Sequence, residues 1–207
     1  MTRSAGPRAA LGALVLLFGA ALPGAPAASQ PVPIEASGDY AHTASGMILP
    51  PSVAGFRRVG VYRYDAAARD VSANYHLDLA SGRVLASAYV YPMPPAGGAT
   101  REDACRQEFA LRQGELTGVR RGARLLAEGA AAPPKGFAGI PGYRAAYGIE
   151  GSIGGQPRLL RTELHVFCFV AERWIIKYRF TGPEAPDTAR AIETFATSLP
   201  WTLRSGR

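Results

Sequence analysis

Two neighbouring stretches alternate between polar and apolar residues with a period of two, which limits the chain to folds built on a β-sheet. In residues 71–79, VSANYHLDL, every odd position is apolar and every even position is polar. In residues 83–91, RVLASAYVY, the even positions carry Val or Ala. Because alternate side chains of a strand point to opposite faces, one face of each strand is predicted to be buried. The Ser81-Gly82 turn between them predicts an antiparallel pair.

The rest of the chain predicts further strands. The β-rich or alternating segments are 56–64, 143–149, 158–170 and 173–181, with a weaker one at 123–128. The first of these precedes the alternating pair, and the three together predict an antiparallel meander. The others follow the proline- and glycine-rich stretch PMPPAGGA and a predicted helix.

Two helices are predicted. The first begins at the N-cap Thr100, because Asp103 occupies the third helical position and Glu102 lies in the first turn. It is expected to run to about Leu116. The second precedes Pro200 and carries an apolar stripe at helical spacing, formed by Ile192, Phe195, Ala196 and Leu199.

This order of segments predicts an α+β fold, with an antiparallel sheet of about six to seven strands packed by two main α-helices. Residues 28–52 contain Pro, Ser and Gly without periodicity, so they are predicted to form an irregular N-terminal lead-in. Residues 53–207 are predicted to form a single domain, long enough to bury its own core.

The first 27 residues have the layout of a secretory signal peptide. Arg3 and Arg8 precede a short apolar run, and small residues up to Ala27 provide a cleavage site. The run is shorter than the roughly 20 residues of a spanning helix, which argues against a membrane anchor. Cleavage after Ala27 would leave 180 of the 207 residues. We expect an exported protein without a transmembrane segment in the mature chain; the periplasm is the favoured location, and secretion from the cell is the alternative.

The net charge of +7 at pH 7 comes mainly from arginine. A modest positive charge suits anionic surfaces such as lipopolysaccharide or phospholipid headgroups. The arginine clusters at 57–58 and 120–124 are short, and no dense basic run or recognition module is present. We therefore expect no nucleic-acid partner.

The two cysteines are predicted to form a structural disulfide. Cys105 falls on the apolar stripe of the first helix and Cys168 on the apolar face of a strand, so they can meet where the helix covers the sheet. An oxidising compartment favours pairing, although two separately buried thiols remain the alternative. His165 lies on the opposite face beside Glu163 and is predicted to point outward. That placement argues against a Cys–His dyad or a shared metal ion.

No catalytic, metal or cofactor site is predicted. Ser72, His76 and Asp78 share a strand face, but residues four apart on a strand are separated by about 13 Å, too far for a triad. His42, His76 and His165 show no ligand spacing. The motifs of zinc proteases, phosphate loops and EF-hands are also missing from the sequence.

Four tyrosines form a candidate binding surface: Tyr62 and Tyr64 on one strand face, and Tyr89 and Tyr91 on another. Either helices cover these faces in a three-layer fold, or the tyrosines belong to an exposed Tyr/Arg patch that binds a protein or a glycan.

The sequence resembles the PsbP/Mog1-like fold and small exported bacterial proteins of similar layout. The resemblance rests on the stretch ILPPSVAGFRRV, the helix after the early strands, the paired late strands and the ending FATSLPW. It covers about residues 46–201 and transfers no catalytic motif. Such a resemblance implies a binding or accessory role.

The expected function is therefore a non-enzymatic binding or accessory domain of the cell envelope, with an envelope protein or a glycan as its partner. One alternative is a small-ligand carrier with an apolar cavity between helix and sheet. A second alternative is a hydrolase whose site would assemble from distant residues such as His42, Glu150 and Glu163.

Overall fold

The computed structural model describes residues 30–95, 100–120, 122–153, 155–169, 171 and 173–203. The predicted signal peptide, residues 1–27, lies outside this part. The strands are β1 (Val32–Ile34), β2 (Tyr40–Ala41), β3 (Ile48–Leu49), β4 (Ser52–Val53), β5 (Phe56–Arg63), β6 (Val71–Leu79), β7 (Gly82–Pro92), β8 (Arg124–Ala130), β9 (Gly142–Ile153), β10 (Gln156–Phe169) and β11 (Trp174–Pro183). The helices are α1 (Arg101–Val119) and α2 (Pro186–Ser198).

Nine of these strands form one antiparallel sheet. Its order is β1-β5-β6-β7-β11-β10-β9-β8, and β4 also pairs with β5. The sheet thus consists of two meanders, β5–β7 and β8–β11, joined where the last strand β11 pairs with β7. The strands β2 and β3 form a separate pair.

The prediction of an α+β fold with six to seven strands is wrong, because the described part of the chain is largely β. Strands hold 48% of its residues and helices 19%. The additional strands β1 and β4 come from the predicted lead-in and its end, and they have only three and two residues. Strands of that length are too short to show a period, and their pairing to β5 becomes visible only in three dimensions.

Both faces of the sheet are buried, each against one helix. The face toward α2 carries the larger core, which includes Tyr75, Phe167, Tyr178, Phe180 and Phe195. The face toward α1 carries a second core, which includes Cys105, Phe109, Leu116, Leu164 and Val166. The described residues therefore form three layers, helix on sheet on helix.

The two helices begin in different ways. The hydroxyl of Thr100 caps α1, since it accepts a hydrogen bond of 3.1 Å from the backbone N–H of Asp103. The N-cap of α2 is Ala185, which has no side-chain acceptor, and proline follows at the first helical position. The stability of α2 therefore depends on its buried stripe, in which Ile192 and Phe195 are almost fully covered.

The predicted disulfide is confirmed. Cys105 of α1 is bonded to Cys168 of β10, with 6.0 Å between their Cα atoms. The bond fixes α1 to β10. Among the described residues, neither helix is long and apolar enough to span a membrane.

Candidate functional site

A groove of about 450 Å³ lies between α2 and the strands β8–β10. Arg144, Arg161, Glu163 and His165 form its floor. Its helical wall comes from α2, with Arg190 and Glu193 among small and apolar residues. We call it the α2 groove. Its volume lies in the range of small-molecule sites.

The pairing register of the strands places the floor residues next to one another on one face of the sheet. Arg161, Glu163 and His165 occupy alternate positions of β10, so all three face α2. Arg144 of β9 lies directly opposite His165 and therefore shares its face. Arg161 is flanked by glycine on both neighbouring strands, Gly148 and Gly182, so no side chain crowds its base.

Glu163 is a buried carboxylate at the centre of this floor, with only 3% of its surface exposed. One oxygen accepts a hydrogen bond from Arg161 Nε, and the other lies 2.9 Å from His165 Nε2. Burial alone would raise the pKa of Glu163, but the hydrogen bonds and charges of His165 and Arg161 outweigh it and hold the pKa below its usual value. Glu163 is therefore ionised at neutral pH.

His165 does not point outward as predicted, because only 4% of its surface is exposed. Its ring lies edge-on to Phe180, with 5.4 Å between ring centres. Nε2 bonds to Glu163, while Nδ1 is buried and has no hydrogen-bond partner among the described residues. Neither ring nitrogen is free to exchange a proton with a molecule in the groove.

The positive charges of the groove exceed its negative ones. Arg161 is paired with Glu163, whereas Arg144 and Arg190 form no ion pair within the described chain. Glu193 is the second carboxylate of the lining. Three guanidinium groups against two carboxylates leave one net positive charge. The exposed Arg144 and Arg190 can therefore bind an anion.

The sequence-predicted residues Ser72, His76 and Asp78 form no triad. The hydroxyl of Ser72 is buried and lies 3.1 Å from that of Tyr64. Asp78 forms an ion pair of 2.7 Å with Arg83. The three side chains thus have separate partners.

His42, Glu150 and Glu163 do not converge either, since only Glu163 lines the α2 groove. His42 is buried, with hydrogen bonds to Ser45 and to the carbonyl of Ala68, and its role is structural. Glu150 is exposed on β9. The described residues contain no group of three acidic, histidine or cysteine side chains that could hold a metal ion.

Three of the four candidate tyrosines meet on the α1 side of the sheet. Tyr64, Tyr89 and Tyr91 line a pocket of about 140 Å³ together with Asp70, Arg112 and Lys177. We call it the tyrosine pocket. Helix α1 covers Tyr91, which is 7% exposed, whereas Tyr64 and Tyr89 are half-buried. Tyr62 lies outside this pocket and faces the β1 edge of the sheet.

Sequence reasoning named Glu163 and His165 but missed their burial beside Arg144 and Arg190, and it missed the charged residues of the tyrosine pocket. A signal was present for the groove, because Arg161, Glu163 and His165 place three polar residues on one face of the longest strand. A signal was also present for the pocket, because Lys177 interrupts the apolar strand WIIKYRF. Neither pattern shows which helix covers the face concerned.

The chain matches no protein-family model and no curated protein. The proposal of a function is therefore based mainly on the geometry of the two cavities.

Proposed function

We propose that the protein is an exported, non-enzymatic binding or accessory domain of the bacterial cell envelope that binds an anionic group in the α2 groove. The supporting observation is that Arg144 and Arg190 line a cavity of ligand size without any carboxylate paired to them in the described chain. Guanidinium groups match carboxylate and phosphate oxygens in geometry and charge. The PsbP/Mog1-like resemblance agrees with a binding role and remains part of the proposal.

The ligand chemistry follows from the lining of the groove. Its unpaired charges are arginines, so an uncharged apolar ligand would have to cover Arg144 and Arg190 without pairing them. An anion can instead bind Arg144 and Arg190, while Ile192 and Ala196 accept the carbon part of the molecule. This mixture favours a phosphate or carboxylate group on an organic molecule over a purely apolar cargo.

The proposal includes no catalytic role because the groups of the floor that could act as a base are already held in hydrogen bonds. A general base needs a nitrogen or carboxylate oxygen within reach of the substrate. The oxygens of Glu163 are engaged by Arg161 and His165, and His165 Nδ1 is buried. Glu163 and His165 are therefore suited to holding the floor of the groove together and not to activating water.

Calorimetric titration of the mature protein tests the binding site. The anions are inorganic phosphate and succinate at low ionic strength, where screening is weak. We expect saturable binding of at least one anion, weakened about tenfold or more by Arg144→Gln and by Arg190→Gln, because each loses a charge-assisted hydrogen bond. Comparing the two anions distinguishes a phosphate from a carboxylate site.

The matched control for this titration is Arg57→Gln. Arg57 is also exposed but lies on β5, away from the groove. When the titrations are repeated at about 0.1 M salt, where the Debye length is about 10 Å, its replacement should leave the affinity within about twofold. Absence of binding to either anion, or an equal loss in the Arg57 variant, would refute the site. Turnover of phosphate or carboxylate esters that depends on Glu163 would refute the non-enzymatic role.

Export is tested by identifying the N-terminal residue of the protein recovered from the periplasm of an expressing bacterium. The proposal expects a chain that begins at Ala28, because Ala25 and Ala27 form the pattern of small residues that precedes a cleavage site. The Cys105–Cys168 bond is consistent with an oxidising compartment. Recovery of the uncleaved chain in the cytoplasm would contradict export.

A further inference from the structure

Lys177 is a half-buried amine in the tyrosine pocket, on the face of the sheet opposite the α2 groove. Its Nζ lies 4.1 Å from the ring centre of Tyr89 and 5.4 Å from that of Tyr91. Among the described residues, no carboxylate lies within 4.0 Å of it and no hydrogen bond holds it. Lysine side chains in folded proteins are normally exposed or paired. The placement of Lys177 therefore needs another explanation.

The surroundings of Lys177 make its ammonium group lose a proton more readily than that of an ordinary lysine. Burial against the tyrosine rings and the positive charge of Arg112 lower the pKa of Lys177 to about 8. Arg112 itself is held by Glu108 and Glu115 on α1, so these carboxylates do not bind Lys177 directly. At pH 7 about a tenth of the molecules then carry a neutral amine, against fewer than about one in a thousand for an ordinary lysine.

Asp70 is the acidic partner on the other side of the same pocket. Burial raises the pKa of its carboxyl group to about 6, although the charge of Lys177 opposes this shift. Asp70 forms no ion pair in the described chain. The pocket thus contains an amine that is a nucleophile near neutral pH and a carboxyl group that can donate or accept a proton there.

We propose that Lys177 captures small aldehydes in the tyrosine pocket by forming an imine. The volume of about 140 Å³ admits an aldehyde of a few heavy atoms. Tyr64, Asp70 and Lys177 are only partly buried, so the pocket reaches solvent. The aromatic walls bury the carbon part of the aldehyde and limit the water around the amine. The site is separate from the α2 groove, and neither depends on the other.

The reaction balances without an oxidant or a reductant. The neutral Nζ attacks the carbonyl carbon, a C–N bond forms, and one of the two amine protons passes to the oxygen to give a carbinolamine. The Asp70 carboxyl group donates a proton to that hydroxyl, the C–O bond breaks and water leaves. The remaining N–H proton passes to the Asp70 carboxylate, which regenerates the acid. The products are the imine and one water molecule.

Reductive trapping tests the capture, and the sequence makes the test simple because Lys135 is the only other lysine. The mature protein is treated with propanal and cyanoborohydride near pH 7, and the labelled amines are located by peptide mass spectrometry. Lys135 lies in an exposed loop and serves as the internal reference. We expect Lys177 to be alkylated at least about tenfold faster than Lys135, because more of it is uncharged.

Three variants complete the experiment. Lys135→Arg should leave the labelling of Lys177 unchanged, and Lys177→Arg should remove the fast phase. Asp70→Asn should slow the labelling of Lys177 several-fold while leaving Lys135 unaffected, with thermal unfolding showing that the variant is folded. Labelling of Lys177 no faster than Lys135, or a fast phase that survives Lys177→Arg, would overturn the proposal.

Discussion

At the scale of single residues, Glu163 holds the floor of the α2 groove together. It is the buried anion between Arg161 and His165, and its removal leaves two cationic or polar groups without an acceptor. We expect Glu163→Gln to lower the free energy of unfolding by about 3 kcal/mol at neutral pH, since breaking a buried charged pair is costly. Urea denaturation measures this loss.

The loss of stability caused by Glu163→Gln should depend on pH in a definite direction. Because the folded-state pKa of Glu163 lies below its ordinary value of 4.5, the stabilisation is fully present above that value and is lost as the pH falls through the lower one. The difference between the two proteins should therefore stay constant from about pH 7 down to about pH 5 and shrink only as the pH falls below 4.5. Glu193→Gln, an exposed change in the same groove, should alter stability by less than about 0.5 kcal/mol. Equal effects of the two substitutions would contradict the assigned role of Glu163.

At the scale of elements, the disulfide determines how α1 is attached to the sheet. The bond joins residues 63 apart in sequence, and on the chain-entropy argument it contributes about 4 kcal/mol. The double variant Cys105→Ala with Cys168→Ala should lose about that amount. Hydrogen exchange should show α1 opening first, while α2 on the other face keeps its protection. Two alkylatable thiols in the unreduced protein, or equal loss of protection in both helices, would contradict this account.

The start of α2 offers a stabilising change. Ala185 has extended backbone dihedrals and no side-chain acceptor for the N–H groups of the first turn. A serine at this position can accept one of them, so Ala185→Ser should raise the free energy of unfolding by about 1 kcal/mol. The matched control is Thr100→Ala, which removes the existing cap of α1 and should cost about the same. Thermal unfolding compares the two, and a destabilising Ala185→Ser would show that α2 begins elsewhere.

The elements themselves were largely predictable where they are long and patterned. The alternation in 71–79 and 83–91 predicts β6 and β7 to within one residue at each end. The N-cap Thr100 is also correct, although α1 continues past Leu116 to Val119. The short β1 and β4 carry no periodic signal, because their hydrogen bonds to β5 are set by the fold and not by local sequence.

At the scale of the whole molecule, the order of strands decides where the sites lie. The alternation of side chains along β10 correctly predicted that His165 and Glu163 lie on one face of the strand and Cys168 on the other. The face that carries His165 and Glu163 is buried beside α2. This burial depends on the pairing of β11 with β7, which are far apart in sequence. The alternation of one strand specifies two faces but not what covers each of them. The charged floor of the groove was therefore visible as a pattern, whereas its burial was not.

Arg144 and Arg190 give the α2 groove its proposed capacity to bind an anion. The most direct measurement is a titration of isotopically labelled mature protein with inorganic phosphate and with succinate, followed by the Nε–Hε signals of the arginine side chains in NMR spectra. We expect saturable shifts for Arg144 and Arg190 with at least one of the anions, and no comparable shift for Arg57 on the opposite face of the sheet. Uniform small shifts across all arginines, or none at Arg144 and Arg190 with either anion, would contradict it.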